Sequence, residues 1–222
     1  MKRTEIAPGV HLSWDPAPKF NRCRISLHFA FPAKRETATA HALLPLVMER
    51  GYADCPDMTQ MTKKLARLYG AALSVDGTMS GQSRVLTVSL SGIRDAFALA
   101  GEPLSREYAD IAFGTAFEPY RVDGVLDAEA VAIEKEQLRE LLEGEINEKR
   151  SYCIRQARRR FYGDSPAGIE RNGYLDEVDG LTADAVTRAY ARMVEQAQIE
   201  VFVLGADVDA VAQRLRTALS GL

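Results

Sequence analysis

The chain contains three histidines, and the residues around each of them decide whether it could hold a metal ion. His11 and His28 lie in alternating stretches that predict strands, and neither has a His-x-His or His-x-x-Glu partner. His41 opens the stretch HALLPLVMERG, where apolar residues recur at helical spacing and Gly51 follows as a C-terminal signal. Because catalytic zinc needs several protein ligands together, we interpret all three histidines as ordinary strand and helix side chains.

Charged side chains are concentrated in two other stretches. Residues 133–149, IEKEQLRELLEGEINEK, could form a metal or acid–base cluster, but interspersed Lys and Arg favour a solvated helix face. The run RQARRRFYG places Arg155 and Arg159 on one helix face, with Arg158 beside them. Contact with phosphate or nucleic acid is one interpretation of this run. We favour a cationic helix C-terminus, which the helix dipole stabilises.

The composition is typical of a globular protein. Of 222 residues, 46% are hydrophobic, and the formal net charge of −3 gives no polyanion-binding signature. Cys23, Cys55 and Cys153 are separated and odd in number, which predicts reduced thiols. The sequence shows neither a signal-peptide core nor a run near the ~20 apolar residues that span a bilayer. We expect one cytoplasmic domain over residues 1–222, without nucleic-acid or membrane partners.

The histidines and charged residues are positioned by secondary-structure elements, of which the first along the chain are predicted to be strands followed by helices. GVHLSW and CRISLHFAF predict strands, with a turn between them. The helical pattern from Glu36 to Gly51 contains Pro45, which should kink or split the helix. A second helix is predicted between Asp57, as its N-cap, and Gly70. Its predicted core-packing stripe consists of Met58, Met61, Leu65 and Leu68.

The later elements complete a mixed architecture. AALSVDG and RVLTVSLSG predict strands joined by the loop TMSGQS. A long helical region begins after Asp127 and is expected to break at Gly144, and Thr182 is expected to cap a later helix. A buried strand, IEVFVLG, and a last amphipathic helix follow. This order predicts an α+β fold in two layers, with a mixed or antiparallel sheet and helices packed on one face.

The order of these motifs resembles one half of the pitrilysin/insulinase family of zinc peptidases, which includes mitochondrial processing peptidase. That family carries an inverted zinc motif, His-x-x-Glu-His, on its first core helix. Alignment on Gly51 places the motif at Ala42, Pro45 and Leu46, and the family's third ligand at Glu134. The resemblance thus assigns positions to a metal site, but the residues at the motif positions are not metal ligands.

The resemblance implies a pseudo-enzyme, because Ala42 and Leu46 have no donor atom and Pro45 cannot act as a base. It implies no catalytic residue, no cofactor and no zinc, with Glu134 left as the remnant of a ligand. Two alternatives remain open. One is an active zinc-dependent metalloendopeptidase half with a displaced metal site that includes His41, and the other is a dimerising structural module without a ligand.

The resemblance also implies a peptide site and a partner. In the family, a substrate peptide joins the sheet as an extra strand, and the matching positions here are Ser74, Val75 and Asp76. Family members consist of two halves that enclose a chamber, so residues 1–222 are expected to be one half, the N-terminal one. The partner would be a second peptidase-like half, a sister subunit or another copy in a homodimer.

Two stretches, ETATAHALLPLV and LYGAALS, are similar to a bacterial subset of the family that lacks the zinc motif. Some members of that subset are associated with modification of elongation factor P. The expected function is therefore a non-catalytic subunit that binds peptide or a protein partner and completes the chamber of an active sister.

Overall fold

The computed structural model describes residues 1–221, in which a six-stranded mixed sheet carries helices on one face. This confirms the predicted α+β fold. A separate two-stranded ribbon is formed by two very short strands. In chain order, the strands are β1 (Lys2–Ala7), β2 (Val10–Asp15), β3 (Arg22–Pro32), β4 (Ala72–Ser80), β5 (Ser83–Ile93), β6 (Arg121–Val122), β7 (Val125–Leu126) and β8 (Gln198–Leu204).

The strand order in the large sheet is β1-β2-β8-β3-β5-β4, which places the last strand of the chain near its centre. β8 pairs in parallel with β2 and antiparallel with β3. The predicted turn between β2 and β3 therefore joins strands that are not neighbours. β4 lies at one end of this order and pairs antiparallel with β5 alone.

Four of the eight helices that the structure describes begin where the sequence carries a capping side chain. The Asp57 carboxylate accepts from the backbone N–H of Gln60 at 2.8 Å, and Asp127 and Thr182 cap later helices in the same way. The predicted break at Gly144 is confirmed. The helices are α1 (Ala38–Glu49), α2 (Met58–Arg67), α3 (Leu104–Phe117), α4 (Ala128–Gly144), α5 (Lys149–Tyr162), α6 (Leu175–Val178), α7 (Ala183–Gln196) and α8 (Val208–Ser220).

Alternation along the central strands separates the core from the opposite face of the sheet. In β3, Ile25, Leu27 and Phe29 are fully buried, whereas Arg24 and His28 lie on the other face and are more exposed. Burying one such aliphatic or aromatic side chain contributes about 1.5–3 kcal/mol. This apolar face of the sheet therefore holds the helical layer. None of the helices within residues 1–221 has the length and apolar content needed to cross a bilayer.

Two local predictions were wrong, and a third was wrong in part. Pro45 does not split its helix, because α1 continues from Ala38 to Glu49 and the proline is buried against the rest of the protein. Tertiary packing here outweighs the loss of one backbone hydrogen bond. The loop between β4 and β5 is only Gly81 and Gln82, since both strands extend into the polar stretch. Met58 is 52% exposed and does not join the core, unlike Met61.

Candidate functional site

The positions that the resemblance assigns to a zinc motif lie on one face of α1, one turn apart. Pro45 is buried, and Ala42 and Leu46 are half-buried against the core. None of the three side chains has a donor atom for a cation. Within residues 1–221, no group of three or more His, Cys, Asp and Glu side chains is arranged to hold a metal ion. These side chains therefore do not fit zinc.

Glu134, at the position of the third ligand, lies on α4 and is only 4% exposed. Its carboxylate accepts a hydrogen bond of 2.7 Å from Nη1 of Arg50, which follows Leu46 by one helical turn. The guanidinium supplies the positive charge that a buried carboxylate requires. The sequence analysis missed Arg50, although its i+4 spacing from Leu46 was a usable signal.

Glu49 brings the zinc-motif face of α1 close to the sheet edge. Burial raises the pKa of its carboxyl group, and the backbone of Val75 in β4 opposes that shift. The charges of Glu134 and Asp76 raise the Glu49 pKa further. Side chains from α1, α4 and β4 thus share one electrostatic environment, which the sequence analysis did not foresee.

His41 is a core side chain packed between elements. Its Nε2–H donates to the carbonyl of Ala189 in α7 at 3.1 Å, and its ring meets Phe31 edge-on at 4.8 Å. Burial lowers the His41 pKa to about 4, and the charge of Arg84 adds to the effect. This geometry gives His41 a structural role.

The other two histidines lie on the sheet face opposite the helical layer. His28 is held by the hydroxyls of Ser26 and Thr87, at 3.1 and 3.0 Å from its ring nitrogens. His11 lies 3.4 Å from the Glu200 carboxylate. Each histidine is therefore engaged with neighbouring protein groups on its own strand pair.

The predicted peptide-binding residues lie on β4, which is the edge strand. Its connection to β5 is a two-residue turn with Gly81 at φ 59°, and such a turn is closed by a hydrogen-bonded pair. Because bonded and non-bonded pairs alternate along an antiparallel ladder, Leu73, Val75 and Gly77 direct their backbone groups away from β5. Of the three predicted residues, only Val75 therefore offers backbone groups to an added strand.

Carboxylates of the protein itself stand beside the outward N–H groups of this edge. Asp76 Oδ1 accepts from the N–H of Gly77 at 2.9 Å and pairs with Arg171 at 2.7 Å. Glu49 faces Val75 in a similar way. Charged side chains at an edge discourage indiscriminate strand pairing. Any strand added at this edge would have to displace these carboxylates.

Comparison with known proteins identifies the architecture. No family model matches the chain. A protein of Bacillus subtilis (strain 168) named "Probable inactive metalloprotease YmfF" is 26% identical over 192 residues, or 86% of this chain and 45% of that protein. The solved structure of a conserved protein from Enterococcus faecalis V583 has a TM-score of 0.91 at 23% identity, covering 98% of this chain and 51% of that one.

A second structure, the peptidase M16 inactive domain from Pseudomonas fluorescens, has a TM-score of 0.77 at 14% identity. It matches the whole of this chain and 50% of its own. The chain therefore has the fold of one half of these peptidase-like proteins, and its own sequence lacks the His-x-x-Glu-His motif. It spans about half the length of the relatives that it matches.

α1 lies where the resemblance places the zinc helix, and the Arg50–Glu134 pair lies beside it. The prediction of a pseudo-enzyme agrees with the names of the B. subtilis relative and the P. fluorescens domain, both of which include the word inactive. In place of metal ligands, the region around α1 and β4 offers the outward backbone groups of β4 and the charged side chains beside them.

Proposed function

We propose that this chain is a non-catalytic half that binds an extended peptide along β4 and completes the chamber of an active sister. The main support is the position of β4, a strand at the end of the sheet whose Leu73, Val75 and Gly77 have outward backbone groups. Main-chain pairing with an edge strand needs no metal. Peptide binding is therefore compatible with the loss of donors at Ala42 and Leu46.

We further propose that residues 1–222 act as one half-domain, the N-terminal half of a two-half assembly. One contiguous core includes residues from Val10 in β2 to Ala218 in α8, which supports a single unit. The length ratio supports a second half of similar size, since the chain matches 45% of the B. subtilis relative. The link to elongation factor P and the cytoplasmic location stay predictions from the sequence.

The binding test uses hydrogen exchange with a strand-forming peptide and a copy of it that carries an N-methyl group at every residue. N-methylation removes the backbone donors that a paired strand needs, whichever side the peptide turns to β4. The unmethylated peptide should therefore bind and slow exchange at Val75 and Gly77, whereas the methylated copy should not. Equal protection by both peptides, or by neither, would contradict strand addition.

The catalytic assignment has its own test. Purified chain should contain no stoichiometric zinc and should not cleave test oligopeptides, whereas a complex with a sister that carries His-x-x-Glu-His should cleave them. One zinc per chain bound through His41 and Glu134 would favour the displaced metal site instead. Cleavage that requires only this chain would overturn the proposed function.

A further inference from the structure

α5 is the most basic helix of the chain and has no buried residue. Six of its 14 residues are Lys or Arg, and none is acidic. Ile154 is 53% exposed and Phe161 is 81% exposed, so apolar side chains also face outward. A helix that packs little of its own surface against the core is available to contact another molecule.

A cavity of about 270 Å³ lies between α5 and residues 167–172. We call it the arginine groove. Its charged lining consists of four arginines and one carboxylate, with Ile154 as an apolar wall. The lining residues that matter here are Ile154, Arg155, Arg158, Arg159, Glu170 and Arg171.

The positive charge of the groove is only partly neutralised. Arg155 forms an ion pair with Glu145, and Arg171 pairs with Asp76. Within residues 1–221, neither Arg158 nor Arg159 has a carboxylate at ion-pair distance. Arg158 donates to the carbonyl of Ala167 at 3.3 Å, and the one carboxylate of the groove, Glu170, interacts with both arginines only at longer range. Two guanidinium groups therefore have no ion-pair partner among the described residues and could pair with an anionic molecule.

The groove begins where the β4 edge approaches the loop after α5. Arg171 lines the groove and also pairs with Asp76 of β4 at 2.7 Å. Arg84, the partner of Met79 across the ladder, donates to the carbonyl of Arg171 at 2.7 Å. Ile169 of the groove packs in a small apolar cluster with Met79. A chain lying along β4 would therefore reach Arg158 and Arg159 as it leaves the edge.

We propose that the arginine groove binds an acidic segment of the polypeptide that pairs with β4. This inference rests on the proposed function, because the groove is assigned to the same polypeptide. Carboxylates of the segment would pair with Arg158 and Arg159, since guanidinium groups recognise carboxylates through charge-assisted hydrogen bonds. An apolar residue of the segment would contact Ile154. The site thus selects acidic sequences among those that can form a strand.

The test compares two fluorescent peptides that share a strand-forming segment and differ in a terminal run of Glu or Gln. At low ionic strength, fluorescence anisotropy should show about fivefold tighter binding of the Glu peptide, the effect of two exposed ion pairs. The double variant Arg158→Gln/Arg159→Gln should lose this preference. The matched control, Arg150→Gln/Arg160→Gln, removes equal charge from the same helix outside the groove and should keep it.

Equal affinity of the original chain for both peptides, or equal loss in both double variants, would overturn the proposal. So would tighter binding of a single-stranded DNA oligonucleotide of matched charge, which would assign the groove to nucleic acid. Hydrogen exchange separates this proposal from the proposed function. If both peptides protect β4 and bind with equal affinity, strand addition is supported and the proposal for the arginine groove is wrong. If neither peptide protects β4, both the proposed function and the proposal for the groove are wrong.

Discussion

Glu134 is a buried carboxylate, so its negative charge requires a positively charged partner inside the protein. Arg50 does so at 2.7 Å, and the pair links the end of α1 to the first half of α4. Taking one partner away from a buried pair is costly, because the remaining charge has lost both water and its counter-ion. The pair therefore fixes these two helices where the related peptidases are expected to hold a metal.

We expect Arg50→Ala to lower the free energy of unfolding by about 2 kcal/mol, since Glu134 would remain buried without a partner. Urea unfolding followed by circular dichroism measures this change. Adding Glu134→Gln should recover part of the loss. The control is Arg139→Ala, which removes a pair with the exposed Asp179 and should cost less than ~1 kcal/mol. Equal losses in Arg50→Ala and Arg139→Ala would show that the buried pair is not special.

At the scale of elements, caps and periodicity determine where helices begin, while close approach decides which glycines are essential. Gly114 lies in α3, and a Cβ there would be 2.4 Å from Cδ2 of Tyr52, whose side chain is 1% exposed. Gly144 ends α4 with no atom within 4 Å of such a Cβ. The two glycines therefore have different reasons to be present, which the sequence alone does not distinguish.

Gly114→Ala should destabilise the protein by about 2 kcal/mol, because neither the helix nor the buried Tyr52 ring has room to move. Gly144→Ala should instead be neutral or stabilising by up to ~1 kcal/mol, since alanine favours helix and nothing obstructs it. Thermal and urea unfolding of the two variants measure both effects. If Gly114→Ala were as stable as Gly144→Ala, the close packing of α3 on Tyr52 would be wrong.

For the whole molecule, the decisive feature is the insertion of β8 between β2 and β3. Val201 of β8 is opposite Leu12 on one side and Leu27 on the other, so the end of the chain completes the core begun by its first strands. All three side chains are at most 1% exposed. Such non-local pairing makes the sheet dependent on both ends of the sequence and is expected to slow folding.

Deletion of residues 197–222 should abolish cooperative unfolding, because it removes the central strand β8 together with α8. Deletion of residues 2–7 is the matched control, since it removes only the edge strand β1, whose side chains are mostly exposed. Thermal unfolding followed by circular dichroism distinguishes the two. A sharp transition in the chain without β8 would show that the remaining strands form the core by themselves.

The sequence by itself determined the features that depend on near neighbours. Capping side chains such as Asp57 and Asp127 predicted helix starts, alternation predicted the central strands, and the absence of donor atoms at Ala42 and Leu46 needed no structure. A cap, a strand pattern and a missing ligand are each defined within a few residues. The order of these elements also sufficed for the fold class.

The tertiary structure decided what depends on residues far apart in the chain. It paired Arg50 with Glu134, placed β8 in the middle of the sheet and left β4 at its end. It also kept α1 whole across Pro45, because packing stabilised a turn that local propensity disfavours. The residues near a given position do not indicate which distant element supplies its counter-ion, its neighbouring strand or its packing surface. These features could therefore be read only from the tertiary structure.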